Sequence, residues 1–375
     1  MKFIDLQKQY KKIETKINSD VLDCFSKGDF ILGEQVYELE HKLSEYVGVK
    51  ECITCASGTD ALLIPLMAND IGQNDAVFTT NFSFFATAEV ISLVGATPIF
   101  VDIDQRTFNI NPELLELEIK KIIKDSKLNP KAIIAVDLFG QLANYAKLEK
   151  IAKKYDLILI EDAAQSFGAS YNGKKSCSFG DISSTSFYPA KPLGCYGDGG
   201  AIFTDNLNLA EKCRSIRVHG QGKNKYNNIR IGLNSRLDTI QAIILLNKIK
   251  IFDHELELRK KIASYFSEKL SDYIDVPLIN KGNFSSWAQY SILSKSSSDR
   301  HKIINHLKTN NIPVAIFYKE IFSDSNLFKN INSTTYPISK DVSKRILSIP
   351  IHPYISQNEQ DLIISSIIDY YKNTY

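Results

Sequence analysis

Seven short apolar runs, separated by stretches with helical periodicity, lie between residues 50 and 205 of this 375-residue chain. Runs of this length that are apolar on both faces are typical of strands buried in a mostly parallel sheet, with helices crossing over its faces. We therefore predict an α/β domain whose strands include residues 52–55, 76–79, 98–101, 132–136, 157–160, about 183–187, and 201–204.

The periodicity changes on either side of this region. A polar arm precedes a helix in which apolar residues recur from Val36 to Tyr46, and Gly48 is placed to end that helix. The pattern after residue 205 predicts a long helix from Thr239 to about Leu270, strands at 276–279, 287–293 and 313–317, and helices at 299–309 and 358–371. We predict a large domain over 1–245, including the arm, and a smaller α+β domain over 246–375.

Composition excludes several classes of protein. A net charge of +2 gives no general attraction to nucleic acid or to a membrane surface. No apolar run approaches the roughly 20 residues that span a bilayer, and residues 1–6 do not resemble a signal peptide. Six scattered cysteines predict no disulfide framework, and we expect Cys52 and Cys55 to be buried thiols rather than a metal or redox site. We expect a cytoplasmic protein without a metal.

Lys191 lies between Pro189 and Pro192, and four glycines follow between residues 194 and 200. Prolines restrict φ and glycines permit tight turns, so this stretch predicts a stiff loop around the lysine. A lysine held in a partly desolvated position loses its proton more readily and can attack a carbonyl carbon. By itself, the stretch is equally consistent with a turn that carries an incidental lysine.

Three further stretches follow predicted strands. Asp162 comes after the 157–160 run, at the carboxyl edge where open α/β sheets bind ligands, although it could instead cap the next helix. Gly58 and Thr59 lie where a strand gives way to a helix, a position that can bind phosphate or be a simple helix cap. Phe84 follows the 76–79 run and could stack on a flat ring or join the core.

Together these parts match one cofactor. Pyridoxal phosphate requires a lysine for a Schiff base, a carboxylate for its pyridinium nitrogen, a phosphate site and a flat group against its ring. A Rossmann-type oxidoreductase is disfavoured because no G-x-G-x-x-G follows a predicted strand, and no G-x-x-x-x-G-K-[ST] for ATP occurs.

Several stretches across nearly the whole chain carry one family pattern. They are Phe3-Ile4-Asp5-Leu6, Ile31-Leu32-Gly33, Ser57-Gly58-Thr59-Asp60-Ala61-Leu62, Glu161-Asp162-Ala163-Ala164-Gln165, the Lys191 loop, Gly232-Leu233-Asn234-Ser235-Arg236 and Ile351-His352-Pro353. In these residues the chain resembles the DegT/DnrJ/EryC1/StrS family of sugar aminotransferases. The resemblance implies the fold of aspartate aminotransferase, which is pyridoxal-phosphate fold type I.

The resemblance also implies roles for individual residues. Lys191 would bind the cofactor covalently and then move the proton of the transamination. Asp162 would pair with the pyridinium nitrogen, and Gln165 would lie near the ring hydroxyl. The remaining cofactor contacts would be made to the phosphate by Gly58, Thr59 and Ser186, and to the ring face by Phe84.

Two neighbouring residues bear on assembly and substrate. By the resemblance, Asn234 reaches the partner subunit's phosphate, which implies a homodimer with two shared sites. Arg236 would lie near the substrate or form an interface salt bridge. Related dehydrases carry histidine where Lys191 stands, so the resemblance implies a transaminase that takes its amino group from L-glutamate.

The sugar remains open between alternatives. The chain resembles most the branch that aminates C3 of a UDP-linked 3-keto-N-acetylhexosaminuronate in O-antigen and lipopolysaccharide biosynthesis. It departs at Phe317-Tyr318-Lys319, where many relatives have histidine at 317 and proline at 319. An apolar ring offers no hydrogen bond to a carboxylate and suits a C6 methyl group, as in a dTDP-linked 3-keto-6-deoxyhexose. The further alternatives are C4 amination of a UDP-4-keto-6-deoxy sugar and a non-catalytic regulator that binds pyridoxal phosphate.

Overall fold

The structure, a computed structural model, describes residues 1–125, 127–224, 226–329, 331 and 334–374. The strands are β1 (Glu51–Cys55), β2 (Asp75–Thr80), β3 (Thr97–Val101), β4 (Asn129–Val136), β5 (Ile158–Asp162), β6 (Ser170–Tyr171), β7 (Lys174–Lys175), β8 (Ile182–Ser186), β9 (Gly200–Thr204), β10 (Asn283–Phe284), β11 (Tyr290–Leu293) and β12 (Ile346–Ile349). The helices are α1 (Leu6–Lys27), α2 (Glu34–Val47), α3 (Gly58–Ala68), α4 (Ala86–Leu93), α5 (Pro112–Asp125), α6 (Tyr145–Tyr155), α7 (Leu207–Arg217), α8 (Thr239–Leu270), α9 (Ser297–Thr309), α10 (Pro337–Arg345) and α11 (Gln357–Thr374).

The central sheet contains seven strands in the order β1-β9-β8-β5-β4-β2-β3. β9 is antiparallel to both of its neighbours, and the other adjacent pairs are parallel. Each of the seven apolar runs overlaps one of these strands, so the predicted mostly parallel sheet is confirmed. The carboxyl ends of β2, β4, β5 and β8 therefore meet at one edge.

Alternating side chains of these strands enter two different core clusters. Ile134 and Ile160 pack in one cluster, and Ile133 and Leu159 pack in the other. Because both faces of the sheet are covered, the strands read as continuous apolar runs rather than as alternating patterns.

The helix predicted before the sheet is α2, and Gly48 ends it with a positive φ of 86°. The long helix predicted from Thr239 to Leu270 is α8. The arm, however, is not simply a polar segment, because residues Leu6–Lys27 form helix α1. Its buried residues are Gln9, Ile17 and Cys24, which are too few and too widely spaced to produce a clear apolar pattern.

The C-terminal third requires corrections. Residues 276–279 form no strand, because Val276 and Ile279 are apolar for packing against the core rather than for sheet pairing. The strand predicted at 287–293 is shortened to β11, and its partner β12 was not predicted. Residues 313–317 contribute a single bridge, between Ala315 and Ser348, instead of a strand. The predicted helices at the C-terminal end are α9 and α11.

The division into domains at residue 245 remains a prediction, since α8 runs through that position. A separate core cluster draws most of its residues from between Ile262 and Tyr371. The six cysteines are free and buried, including Cys52 and Cys55 as predicted. Among the residues that the structure describes, no helix combines the length and apolar character needed to cross a bilayer.

Candidate active site

Asp162 is the last residue of β5 and is 4% exposed. Its Oδ2 accepts a hydrogen bond from Thr87 Oγ1 at 2.9 Å, and its Oδ1 accepts one from the Ala164 backbone N–H at 3.2 Å. Burial raises the pKa of the Asp162 carboxyl, while these two donors and the charge of Lys191 act in the opposite direction. The carboxylate is thus held in place, and it faces a cation.

Lys191 lies on a loop that backbone hydrogen bonds hold tightly. Its N–H donates to the Tyr188 carbonyl oxygen at 2.8 Å, and the Cys195 N–H donates to the Phe187 carbonyl oxygen at 2.8 Å. A Cβ on Gly194 would lie 2.6 Å from the Tyr188 oxygen, so the turn requires glycine there. Burial lowers the pKa of the Lys191 amine, and the Asp162 charge opposes that shift. The amine is therefore more nucleophilic at neutral pH than that of an exposed lysine.

The N-terminus of α3 lies against the end of β8. Ser57 caps this helix, since its side chain accepts from the Asp60 N–H at 3.1 Å. A Cβ on Gly58 would lie 2.5 Å from Ser186 Cβ, so the two residues approach as closely as glycine allows. Thr59 follows in the first turn and is half-buried. The positive end of the helix and two hydroxyl groups suit an anion such as a phosphate.

Tyr318 connects the C-terminal part of the chain to this edge of the sheet. Gln165 Nε2 donates to the Tyr318 hydroxyl oxygen at 3.1 Å, and Gln165 Oε1 accepts from the Phe139 N–H at 2.8 Å. The Tyr318 ring centroid lies 6.3 Å from that of Phe84 and 6.0 Å from that of Phe82. Burial raises the pKa of the Tyr318 hydroxyl, so this group stays protonated. Phe84 itself is 56% exposed.

The three remaining predicted residues lie farther out. Phe317 is half-buried, and its ring meets Phe3 of the N-terminal arm edge-on at 6.3 Å between centroids. Arg236 is half-buried, and its Nε has no hydrogen-bond partner among the described residues. Asn234 is exposed, and its backbone pairs with Val218 rather than with the site.

Sequence reasoning assigned no role to several buried polar residues that hold the site. Thr87 binds the carboxylate of Asp162. Ser235 accepts from the Ala56 N–H at 3.2 Å and donates to Asp60 at 2.6 Å, which ties the Asn234–Arg236 stretch to the start of α3. Asn81 and Ser323 make reciprocal hydrogen bonds of 2.9 Å. The position of Thr87 just after Phe84 could have indicated that it lies in the site. Nothing in the sequence indicates that Asn81 and Ser323 are in contact.

Substituting Gly58 by alanine is expected to weaken cofactor binding, because the new Cβ collides with Ser186 and closes the gap at the start of α3. We expect the dissociation constant for pyridoxal phosphate to rise about tenfold or more. Titration of the apoprotein followed by visible absorption measures it.

The matched control is Gly72→Ala, whose nearest neighbour to the new Cβ, the Val94 carbonyl oxygen, lies at an ordinary 3.4 Å. Equal affinity in Gly58→Ala and in wild type would show that the phosphate lies elsewhere.

Fold and site together define an α/β enzyme with a half-buried lysine, a buried carboxylate and a helix N-terminus at one sheet edge. A family model described as the DegT/DnrJ/EryC1/StrS aminotransferase family matches residues 11–368. The chain belongs to this family, which confirms the resemblance and makes the protein an aminotransferase.

Two curated relatives match along almost their whole length. UDP-2-acetamido-2-deoxy-3-oxo-D-glucuronate aminotransferase of Pseudomonas aeruginosa is 42% identical over 98% of this chain and 99% of its own. dTDP-3-amino-3,6-dideoxy-alpha-D-galactopyranose transaminase of Aneurinibacillus thermoaerophilus is 35% identical over 98% of this chain and 99% of its own.

Solved structures agree with this assignment. A DegT/DnrJ/EryC1/StrS aminotransferase from Brucella abortus superposes with a TM-score of 0.97 at 47% identity and covers 99% of both chains. NtdA of Bacillus subtilis, solved with bound pyridoxamine phosphate, superposes with a TM-score of 0.87 at 27% identity over 99% of this chain and 83% of its own. The predicted fold type I architecture is thereby confirmed.

Proposed function

We propose that this chain is a pyridoxal-phosphate-dependent aminotransferase that moves an amino group from L-glutamate to the C3 ketone of a nucleotide-linked sugar. The observation that carries the proposal is that Lys191, half-buried on its tightly turned loop, lies near the buried carboxylate of Asp162, so that each charge stabilises the other. Cofactor use is also supported by the related structure that contains pyridoxamine phosphate.

The residues present fit this cofactor. Gly58 and Ser186 approach at the start of α3 so closely that a Cβ would fill the gap, which suits a phosphate bound to helix N–H groups. Asp162 supplies a buried carboxylate that interacts electrostatically with Lys191, and Phe84 offers an exposed ring near the same edge. When bound, pyridoxal phosphate withdraws electrons from the carbon that loses its proton.

Each residue then has a task that its surroundings favour. Lys191 would hold the cofactor and, once the amino donor has displaced it, its amine would take the proton from the substrate's Cα and donate it to the cofactor carbon that carries the transferred nitrogen. Asp162, held by Thr87, would keep a proton on the ring nitrogen of the cofactor. Gln165 is fixed by Phe139 and directs its Nε2 toward Tyr318, which closes the site on the substrate side.

The choice of a 3-keto sugar is supported by the two relatives, whose names specify a 3-oxo and a 3-amino sugar. They differ in nucleotide and in the group at C6, and this chain has Phe317 in the stretch that we assign to the sugar. Surface-polysaccharide synthesis in the cytoplasm is the role proposed with either sugar. Arg236, with its unpartnered Nε, is the proposed ligand for a substrate anion.

A spectral titration tests the function. L-Glutamate should convert the cofactor-loaded protein to its pyridoxamine form, and the correct keto sugar should reverse the change. We would compare UDP-linked 3-keto-uronate, dTDP-linked 3-keto-6-deoxyhexose and UDP-linked 4-keto-6-deoxy sugars. Reversal by the uronate alone supports the O-antigen branch, and reversal by the 6-deoxy sugar alone makes Phe317 the selective residue. Tight cofactor binding with no reaction to glutamate or to any other amino donor would favour a regulator.

We further propose that the active protein is a homodimer. Large apolar side chains are exposed on α1 and on the segment before Asn234, and an obligate interface would cover such surface. They include Phe25 at 52%, Ile229 at 56% and Ile231 at 84% exposed. Asn234 is exposed in its own subunit, which leaves its side chain free to reach the partner's phosphate.

Complementation tests the shared site. We expect Asn234→Ala and Lys191→Ala each to be nearly inactive, and a refolded equal mixture to recover about a quarter of wild-type activity. Half of the dimers would then be mixed, and each would have one site with both residues intact. Refolding each variant alone is the control. No recovery, despite mixed dimers detected by differential tagging, would show that Asn234 serves its own subunit.

A further inference from the structure

Lys248 is a buried cation outside the predicted site. It lies on α8 and is 1% exposed, a degree of burial that lysine almost never shows without a partner. Within the described part of the chain, it forms no ion pair with a carboxylate closer than 4.0 Å. Burial lowers the pKa of its amine to about 8, while the more distant Glu255 and Cys195 oppose this shift. A group that is costly to bury needs a structural or functional reason.

The hydrogen bond and the aromatic contact of the Lys248 amine both lead to the loop that carries Lys191. Its Nζ donates to the Gly194 carbonyl oxygen at 2.5 Å. The same nitrogen lies 4.1 Å from the centroid of the Tyr196 ring, within the range of a cation–π interaction. Both loop residues lie within five positions of Lys191.

Gly194 lies at a tightly packed point of this loop, and its carbonyl oxygen accepts from the ammonium group of Lys248. Gly194 packs so tightly that its Cα faces the carbonyl oxygens of Tyr188 and Pro189, where a Cβ would lie 2.6 Å from each. The Gly194 carbonyl itself points to Lys248. A charged ammonium group is a stronger donor to this carbonyl oxygen than a neutral group would be.

A second side chain of α8 acts on the same loop. Gln241 Oε1 accepts from the Tyr196 N–H at 2.9 Å. Gln241 and Lys248 are seven residues apart, so they lie on the same face of the helix, two turns from each other. One supplies an acceptor and the other a donor, and together they hold Gly194 and Tyr196 against α8.

We propose that Lys248 is a positioning residue for the amino-transfer reaction: its ammonium group binds Gly194 and Tyr196 and thereby fixes the loop that presents Lys191. The inference rests on the proposed function for its catalytic consequence, but not for its effect on the loop. An amine that must meet the cofactor and then a substrate carbon depends on such placement, because small displacements of reacting groups are costly.

The test uses the full-length protein with Lys248→Met, which keeps the length of the side chain and removes its charge and donors. In the apoprotein, we expect amide hydrogen exchange over residues 187–199 to become about tenfold faster while α5 is unchanged. In the cofactor-loaded protein, we expect a shifted pH midpoint of the visible absorption. The kcat should fall about tenfold, with KM for the amino donor changed less than about twofold. Lys250→Met, on the exposed side of α8, is the control.

Unchanged exchange together with an unchanged absorption midpoint in Lys248→Met would overturn the proposal, as would equal effects in Lys250→Met. If Lys248→Met does not fold, Tyr196→Leu removes the other partner of the ammonium group and should shift exchange and absorption in the same directions. A wild-type protein that gives no visible band with pyridoxal phosphate would refute the proposed function, and the exchange data would still decide the role of Lys248.

Discussion

Replacing Lys191 by alanine is expected to leave a folded protein in which glutamate-dependent amino transfer falls at least about a thousandfold. In the proposed function the amine is both the nucleophile and the group that moves the proton, so we expect no neighbouring side chain to take over both tasks. The fold should persist, because the backbone hydrogen bonds from the Lys191 and Cys195 N–H groups do not involve the side chain. Loss of the amine also removes a charge that lowers the pKa of the Asp162 carboxyl, so that pKa should rise further in the mutant.

Three measurements check this result: the visible spectrum with pyridoxal phosphate, the single-turnover rate with glutamate, and the thermal unfolding temperature. Lys191→Arg keeps a positive charge opposite Asp162 and should be equally inactive, which separates nucleophilicity from charge. Turnover within tenfold of wild type in the alanine variant would refute the assignment of Lys191.

The second large effect concerns Asp162→Asn. We expect the protein to fold and to bind the cofactor, and kcat to fall about a hundredfold or more, since a neutral amide does not keep the ring nitrogen protonated. Thr87 can still donate to the side-chain oxygen of the asparagine, so the side chain should keep its place. Stopped-flow absorption with glutamate measures the rate of the first half-reaction directly.

The neighbouring Glu161 provides a matched control, because it lies on the opposite side of β5. Its carboxylate accepts from the backbone N–H groups of Cys177 at 2.8 Å and Phe179 at 2.9 Å, and from Ser183 Oγ at 2.7 Å. In Glu161→Gln the amide NH2 group would face N–H and O–H groups that also donate, so hydrogen bonds would be lost. The unfolding temperature should therefore fall while kcat per folded protein changes little. Asp162→Asn with a near-wild-type rate would show that Asp162 has a structural role.

The central sheet was predictable because its physics is local to each strand. A buried strand such as Ile158–Asp162 must be apolar on both faces, and that requirement is visible in a few consecutive residues. The loop of Lys191 was also predictable from the sequence, because its prolines and glycines are required by turns within the loop itself. The family resemblance then gave Gln165 and Ser186, for which the pattern alone offered no reason.

The sequence could not reveal features that depend on distant partners. Residues 276–279 look like a strand because they are apolar, but Val276 and Ile279 pack against a core cluster instead of pairing in a sheet. Strand β12 was not predicted, because its partner β11 lies more than fifty residues earlier in the chain. Lys248 reads as an ordinary helix lysine until α8 is packed against Gly194.

The reciprocal hydrogen bonds between Asn81 and Ser323 restrict which segments can be exchanged when the sugar preference is redesigned. Asn81 and Ser323, which are 242 positions apart, must be exchanged together. A graft of the Phe317–Ser323 stretch alone would leave Asn81 without its hydrogen-bond partner. The same holds for Phe317 and Phe3, whose rings are in edge-on contact. Chimeras should therefore be cut as three matched pieces, with residues 1–6, 80–87 and 315–324 taken from one parent. Natural divergence of substrate preference is expected to show correlated changes in these pieces.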